Sequence, residues 1–189
     1  MRIIAIRHGE VPLNAEDKLT GWLDVDLNSK GREQAFSMAQ DLSGAFDTIV
    51  ASPLLRTAST AKIIAERHPC KIVFDPNLRE RNFGSLNGKT WAEVELETGK
   101  DLRHIDIDLL QYDYRPYGGE SVAQVTARVE QFLSTAPANN GSGDLVVVTH
   151  GGVIRILYSL LAPGPRKPIP NCSVHIFHTQ SKASQSQTA

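Results

Sequence analysis

Cysteine is nearly absent from this chain: Cys70 and Cys172 are the only two among 189 residues. They lie far apart, in no metal-ligand spacing, and both are expected as buried free thiols. Long apolar runs are missing as well, and none approaches the length that crossing a bilayer as a helix needs. A basic excess is also missing. Lys and Arg number 20 against 21 Asp and Glu, a formal net charge of −1, so nothing global points to nucleic acid. Attraction for an anion must then come from a few placed cations. Met1 leads at once into a strand-like run, without a basic segment and a longer apolar stretch of the signal-peptide kind, so the expected compartment is the cytoplasm. No internal repeat is visible.

What is present is ordinary globular material, 41% hydrophobic and 22% charged, sufficient for one domain with a substantial core. Residues 1–180 are expected to form that domain, and the small polar tail from Ser181 onward is expected to be disordered. Short β-type runs alternate with helical patterns, the signature of α/β architecture. The runs are Arg2 to Ile6, Thr48 to Val50, Ile72 to Phe74, Leu145 to Val148 and Val174 to Phe177. The first and fourth are almost continuously apolar, as strands buried on both faces are.

Helices are expected between them. Ala35, Met38, Ala39 and Leu42 repeat at i, i+3, i+4 and i+7 behind an Asn28 N-cap. Ser52-Pro53 reads as N-cap and first residue of a helix running to about Arg67. Ser121 with Gln124 forms a capping box before the stripe Val122, Val125, Val129 and Phe132. Val153 to Leu161 is apolar and closes at Pro163-Gly164. Residues 81–119 are hard to read beyond a short helix from Trp91 to Leu96, and are expected as loops over one end of the sheet.

In an open α/β sheet, ligands bind beyond the carboxyl ends of the strands. Two histidines belong there: Arg7-His8-Gly9 after the first run and Thr149-His150-Gly151-Gly152 after the fourth. Either motif alone reads more readily as a polar strand cap. They arrive, however, with Arg56 early in a helix, with Glu80 after Leu78-Arg79, and with Asn14 and Thr20-Gly21 in the loop after the first motif.

Together these pieces resemble the histidine phosphatase superfamily, in the branch that holds cofactor-dependent phosphoglycerate mutases and small-molecule phosphatases. The matching segments are Arg7-His8-Gly9-Glu10 with Asn14, Gly21-Trp22 with Asp24 and Leu27, and Gly31 with Gln34-Ala35. Ser52-Pro53-Leu54 with Arg56, Leu78-Arg79-Glu80, Phe83-Gly84, Gly118-Gly119-Glu120-Ser121 and His150-Gly151-Gly152 follow in order, spanning about residues 2 to 175. The resemblance implies a phosphoglycerate mutase-like fold, a three-layer αβα sandwich around a mostly parallel sheet.

It also implies roles, and elementary chemistry agrees with them. His8 is the implied nucleophile, attacking phosphorus as a neutral imidazole, a form that nearby arginine charges favour. Arg7 and Arg56 offer guanidinium forks to phosphate oxygens. His150 binds phosphate and stabilises the transition state, while Asn14, Thr20, Gly21 and the Gly151 N–H complete substrate binding. Glu80 is the implied general acid, competent once a phosphate dianion disfavours a second anion beside it. The plain alternative for Glu80 is a salt bridge to Arg79 or Arg81. Glu10 and Glu120 stay outside the catalytic set.

His68, His104, His175 and His178 show no ligand spacing, so neither metal nor other cofactor is expected. The expected partner is a small-molecule phosphate ester, not nucleic acid or membrane, and a homodimer is compatible with the resemblance although no interface is legible. Between phosphatase and mutase the sequence leans to the first. Asn82-Phe83 stands where mutases usually show His-Tyr, only the 26 residues 92–117 separate Trp91 from Gly118, and no Arg-Arg pair occurs. The expected activity is a histidine acid phosphatase-type phosphoric monoester hydrolase. A phosphoglycerate mutase is the runner-up, and a non-catalytic phospho-ligand binding module is the alternative of another class.

Overall fold

The computed structural model describes residues 2–103, 105, 110–136, 143–163 and 168–179. The expected tail from Ser181, with His104 and Gly164, lies outside the described residues. Five strands form one sheet: β1 (Arg2–Arg7), β2 (Thr48–Ala51), β3 (Lys71–Phe74), β4 (Leu145–Thr149) and β5 (Val174–His178). Their order is β3-β2-β4-β1-β5, parallel except for β5, which runs antiparallel to β1. Each strand coincides with an apolar run of the sequence, extended by one residue at one end.

β4 and β1 lie at the centre, paired from Ile3↔Leu145 to Arg7↔Thr149. All five residues of β4 are buried, as are the middle four of β1, so both faces of these strands are covered. Because side chains alternate across a strand, the two faces have separate cores. Ile4, Ile6, Ile49, Val146 and Val148 pack with Met38 and Ala39 of α2 (Ser29–Asp41) and with Ala61 and Ile64 of α3 (Leu55–Arg67). Ile3, Ala5, Val50, Leu145 and Val147 pack with Val125, Val129 and Phe132 of α5 (Val122–Thr135) and with Val153, Ile154 and Leu157 of α6 (Gly151–Leu161). This is the expected three-layer sandwich. Each fully buried Val, Leu, Ile or Phe side chain here contributes roughly 1.5–3 kcal/mol from removal of its surface from water.

The caps follow the sequence with one exception. The Asn28 side chain accepts from Gly31 N at 2.7 Å to open α2, and Ser121 and Gln124 cap α5 reciprocally. Thr90 and Glu93 form a further capping box that starts α4 (Trp91–Thr98), which ends at Gly99 in the left-handed region and so runs two residues beyond the expected Leu96. The exception is Ser52-Pro53, expected as the start of α3. The helix begins at Leu55. Its first N–H is capped from another loop, by Asp24 Oδ1 at 2.7 Å, while the Ser52 hydroxyl faces His150 Nε2 at 2.9 Å. A tertiary partner thus replaces the local cap.

The described residues of 81–119 lie mostly in loops, but with a core of their own: Leu19, Leu86, Val94, Leu102 and Tyr114 pack together with Phe83 and Trp91 beside them. The cysteines are free, yet both are half-buried rather than buried as expected. Burial pushes the Cys172 thiol up to about 12. Among the described residues no helix is long and apolar enough to cross a membrane.

Candidate active site

Parallel pairing brings the ends of β1 and β4 to the same edge of the sheet. His8 N donates to Thr149 O at 3.0 Å, and Ser52 N donates to Val148 O at 3.0 Å, so three strand ends are hydrogen-bonded side by side. The His8 and His150 rings meet edge to face with centroids 5.1 Å apart. A cleft of about 340 Å³ opens above them, lined by Arg7, His8, Asn14, Thr20, Gly21, Arg56, Glu80 and Gly151. His150 lies beneath its floor, fully buried. The residues singled out in the sequence are therefore gathered in one place.

His8 is 3% exposed, and its Nδ1 donates to Gly9 O at 2.7 Å. A carbonyl only accepts, so Nδ1 carries the proton and Nε2 keeps its lone pair. Burial pushes the His8 imidazole well below its ordinary range, and the charges of Arg56 and Arg7 push it further. The sequence expectation named the arginines; burial is the larger cause. His150 is driven down in the same way, by burial first and then by Arg56.

Both arginines are anchored to backbone carbonyls. Arg56 is fully buried; its Nη1 donates to Leu23 O at 2.9 Å and its Nη2 to Gly21 O at 2.7 Å. Arg7 Nη1 donates to Ile169 O at 2.6 Å. The fork of terminal nitrogens expected for phosphate is thus partly committed to holding backbone. Three buried side-chain nitrogens remain without a partner among the described residues: Arg7 Nε, Arg56 Nε and His150 Nδ1. An unpaired buried donor is costly, and buried polar groups are nearly always satisfied. Three together beside an imidazole lone pair match an anion with several oxygens. Burial lowers both guanidinium groups, Arg56 to about 10, with Glu80 opposing the shift in each; both remain cations at neutral pH.

Glu80 faces the same space. Its Oε1 accepts from Arg81 N at 2.9 Å and its Oε2 from Gly152 N at 3.3 Å. The Arg79 guanidinium lies over the Trp22 ring, 5.3 Å from its centroid, so the plain salt bridge to Arg79 is not what the structure shows. A Cβ on Gly152 would fall 2.4 Å from Glu80 Oε1. The second glycine of His-Gly-Gly therefore makes room for the carboxylate, a role the sequence reading did not assign.

Three more residues went unassigned. Asn171 Nδ2 donates to His8 O at 3.0 Å and to Asn14 Oδ1 at 3.3 Å. Trp22 Nε1 donates to Glu80 O at 2.6 Å. Ser52 contacts His150 as described. Trp22 and Ser52 stood inside recognised segments and could have been singled out; Asn171 carried no sequence signal. Asn14 sits on the short helix α1 (Pro12–Ala15), where its Nδ2 reaches Thr20 Oγ1 at 3.4 Å. Glu10 pairs with Lys30 at 2.8 Å and accepts from Asn28 Nδ2 at 3.0 Å, on the α2 side and outside the cleft lining.

The chain is also similar to known proteins. Residues 3–188 match the family model described as "Histidine phosphatase superfamily (branch 1)". The chain is 37% identical to phosphoglycerate mutase-like protein 4 of Arabidopsis thaliana, covering 93% of this chain and 78% of that one. It is 34% identical to the metal-independent phosphoserine phosphatase of the same plant, covering 95% and 77%. Among solved structures, a mycobacterial glucosyl-3-phosphoglycerate phosphatase in complex with VO3 superposes with a TM-score of 0.78 at 28% identity, over 93% of this chain and 90% of that one. The protein whose cleft is lined by His8, Arg7 and Arg56 above a buried His150 belongs to branch 1 of the histidine phosphatase superfamily.

Proposed function

We propose that this protein hydrolyses small phosphate monoesters through a covalent phosphohistidine on His8, a phosphoric monoester hydrolase of the histidine acid phosphatase type. The observation that carries the proposal is the trio of partnerless buried donors, Arg7 Nε, Arg56 Nε and His150 Nδ1, around an imidazole whose proton is fixed on the far nitrogen.

In the first step the His8 Nε2 lone pair attacks phosphorus and the bond from phosphorus to the ester oxygen breaks. The leaving oxygen takes a proton from the Glu80 carboxyl and departs as the alcohol. Charge on the equatorial oxygens meets Arg7, Arg56 and the His150 N–H, donors already fixed before the reaction. In the second step water attacks phosphorus, Glu80 carboxylate accepts its proton, and the N–P bond breaks. Inorganic phosphate leaves and His8 returns to its neutral form. Asn14, Thr20, Gly21 and Gly151 line the cleft around the phosphate and orient the ester.

Two facts favour water over a second hydroxyl as acceptor. Asn82 and Phe83 occupy the positions of the usual mutase His-Tyr, and the segment 92–117 is short and lacks paired arginines. Relatives named as phosphatases act on phosphoserine and on glucosyl-3-phosphoglycerate, which supports a metabolite ester as substrate. The test is a phosphate-release screen over metabolite monoesters without added metal, with turnover expected on some. Incubation with 3-phosphoglycerate and a bisphosphoglycerate primer separates the mutase reading: rapid isomerisation with negligible phosphate release would reverse the choice. Phosphate binding with no turnover on any ester would leave only a binding module.

A further inference from the structure

Glu80 stands on a segment whose only regular element is the 3-10 turn Pro76–Leu78. Trp22 Nε1 holds its Glu80 O at 2.6 Å and Thr149 Oγ1 its Leu78 O at 2.8 Å, and the largest set of bonds reaches it from α5. Arg128 Nη1 donates to Asn77 O at 2.7 Å and to Arg79 O at 2.6 Å. Its Nη2 donates to Glu80 O at 3.0 Å and to Glu120 Oε2 at 3.1 Å, and its Nε to Glu120 Oε1 at 3.0 Å. A guanidinium has five N–H groups. Here all are taken, by three carbonyls of one short segment and one carboxylate.

Glu120 is itself held on the other side of Glu80. Its Oε2 accepts from Asn82 N at 2.8 Å, its N–H donates to Asn82 O at 2.9 Å, and its carbonyl accepts from Arg81 Nε at 3.2 Å. The Arg128 and Glu120 side chains are 14% and 16% exposed, and the buried neighbours Val125 and Val129 root Arg128 in the core. Neither Arg128 nor Glu120 lines the cleft. A half-buried ion pair is weak support for stability as such, since desolvation offsets its attraction. Its geometry, clasping the chain on both sides of one carboxylate, is specific.

We propose that Arg128, anchored by Glu120, is a positioning residue for proton delivery: it sets the height and direction of Glu80 relative to Gly152 N–H and the leaving oxygen without touching substrate. The proposal rests on the reading of Glu80 as the acid. Lysine cannot substitute, because a point charge with three donors does not span three carbonyls and a carboxylate.

The test compares Glu80→Gln, Arg128→Lys and the double variant on an alkyl phosphate and on p-nitrophenyl phosphate, whose leaving group needs little protonation. Arg128→Lys should lose about tenfold or more in kcat on the alkyl ester and less than about threefold on the nitrophenyl ester, since displaced catalytic groups lose rate steeply. Inhibition by inorganic phosphate should be unchanged. In the Glu80→Gln background the same substitution should add nothing, because both act on one step. Equal losses of Arg128→Lys on both esters, or an additive loss in the double variant, would overturn the positioning role while a leaving-group split in Glu80→Gln keeps the acid. No split in Glu80→Gln itself would overturn the acid reading, and the positioning role with it. Should Arg128→Lys not fold, Glu120→Gln loosens the same anchor and is read by the same comparison.

Discussion

The proton of His8 sits on the nitrogen that faces Gly9 O, 2.7 Å away, and this one contact points the lone pair of Nε2 away from the backbone. Replacing His8 by Ala should abolish turnover while inorganic phosphate still binds, since Arg7, Arg56 and His150 remain. Rapid acid-free quenching of the native enzyme should trap an acid-labile, alkali-stable phosphoryl group on His8, detectable by mass spectrometry. Appreciable activity in the alanine variant would refute the nucleophile.

The depressed proton affinities of His8 and His150 have two consequences for pH. For catalysis, the reactive neutral imidazole persists below 6.5, so the acid limb of kcat/KM due to His8 should lie well under that value. For stability, the unfolded chain takes up protons near 6.5 while the folded one does not. Stability is therefore complete above about 6.5 and is lost as pH falls, by about 1.4 kcal/mol per pH unit for each such histidine until the folded imidazole also titrates. Urea unfolding between pH 7 and 5 measures the slope, and His150→Gln should flatten it.

Ser52 has one hydroxyl proton and two neighbours. Its Oγ accepts weakly from Leu54 N at 3.5 Å and lies 2.9 Å from His150 Nε2. Donation to Nε2 leaves the imidazole proton on Nδ1, the buried atom without a partner. Ser52→Ala removes this control, and kcat/KM should fall about tenfold or more, the order of loss for a weakened charge-stabilising donor. Nitrogen chemical shifts of the His150 ring should show the Nδ1–H tautomer in the native protein and a mixture in the variant. A native ring found as Nε2–H would reverse the assignment.

Gly152→Ala separates packing from chemistry. The added methyl would sit 2.4 Å from Glu80 Oε1, the far end of a flexible side chain, which can move aside. Melting temperature should change little, while esters with poor leaving groups lose rate on the order of a hundredfold as the carboxylate is displaced. A large drop in stability with proportionate losses on all esters would argue for a packing role alone.

The parts legible in the sequence are those set by local pattern. The strands showed because β1 and β4 are apolar on both faces, and α5 showed because Ser121 and Gln124 cap it next to an apolar stripe. Ser52 misled because its best partner, His150, is distant in the chain; a serine before proline reads as a cap until its tertiary contact is known. Asn171 and Arg128 were invisible for a related reason. Each donates to at least one backbone carbonyl far away in the chain, and a carbonyl leaves no signature in the residue that carries it. The site histidines and arginines stood out because they stand in short residue strings, Arg7-His8-Gly9, Ser52-Pro53-Leu54 with Arg56, and His150-Gly151-Gly152, that are legible without the fold.

The pairing of β1 with β4 through five consecutive registers ties the two imidazoles to the last part of the molecule that heat or denaturant should open. Glu80 hangs from loops at the rim, held by single side chains reaching across. Damage should therefore arrive in order: fraying at the rim dulls release of the alcohol while phosphate capture survives, and the nucleophile fails only when the sheet itself comes apart.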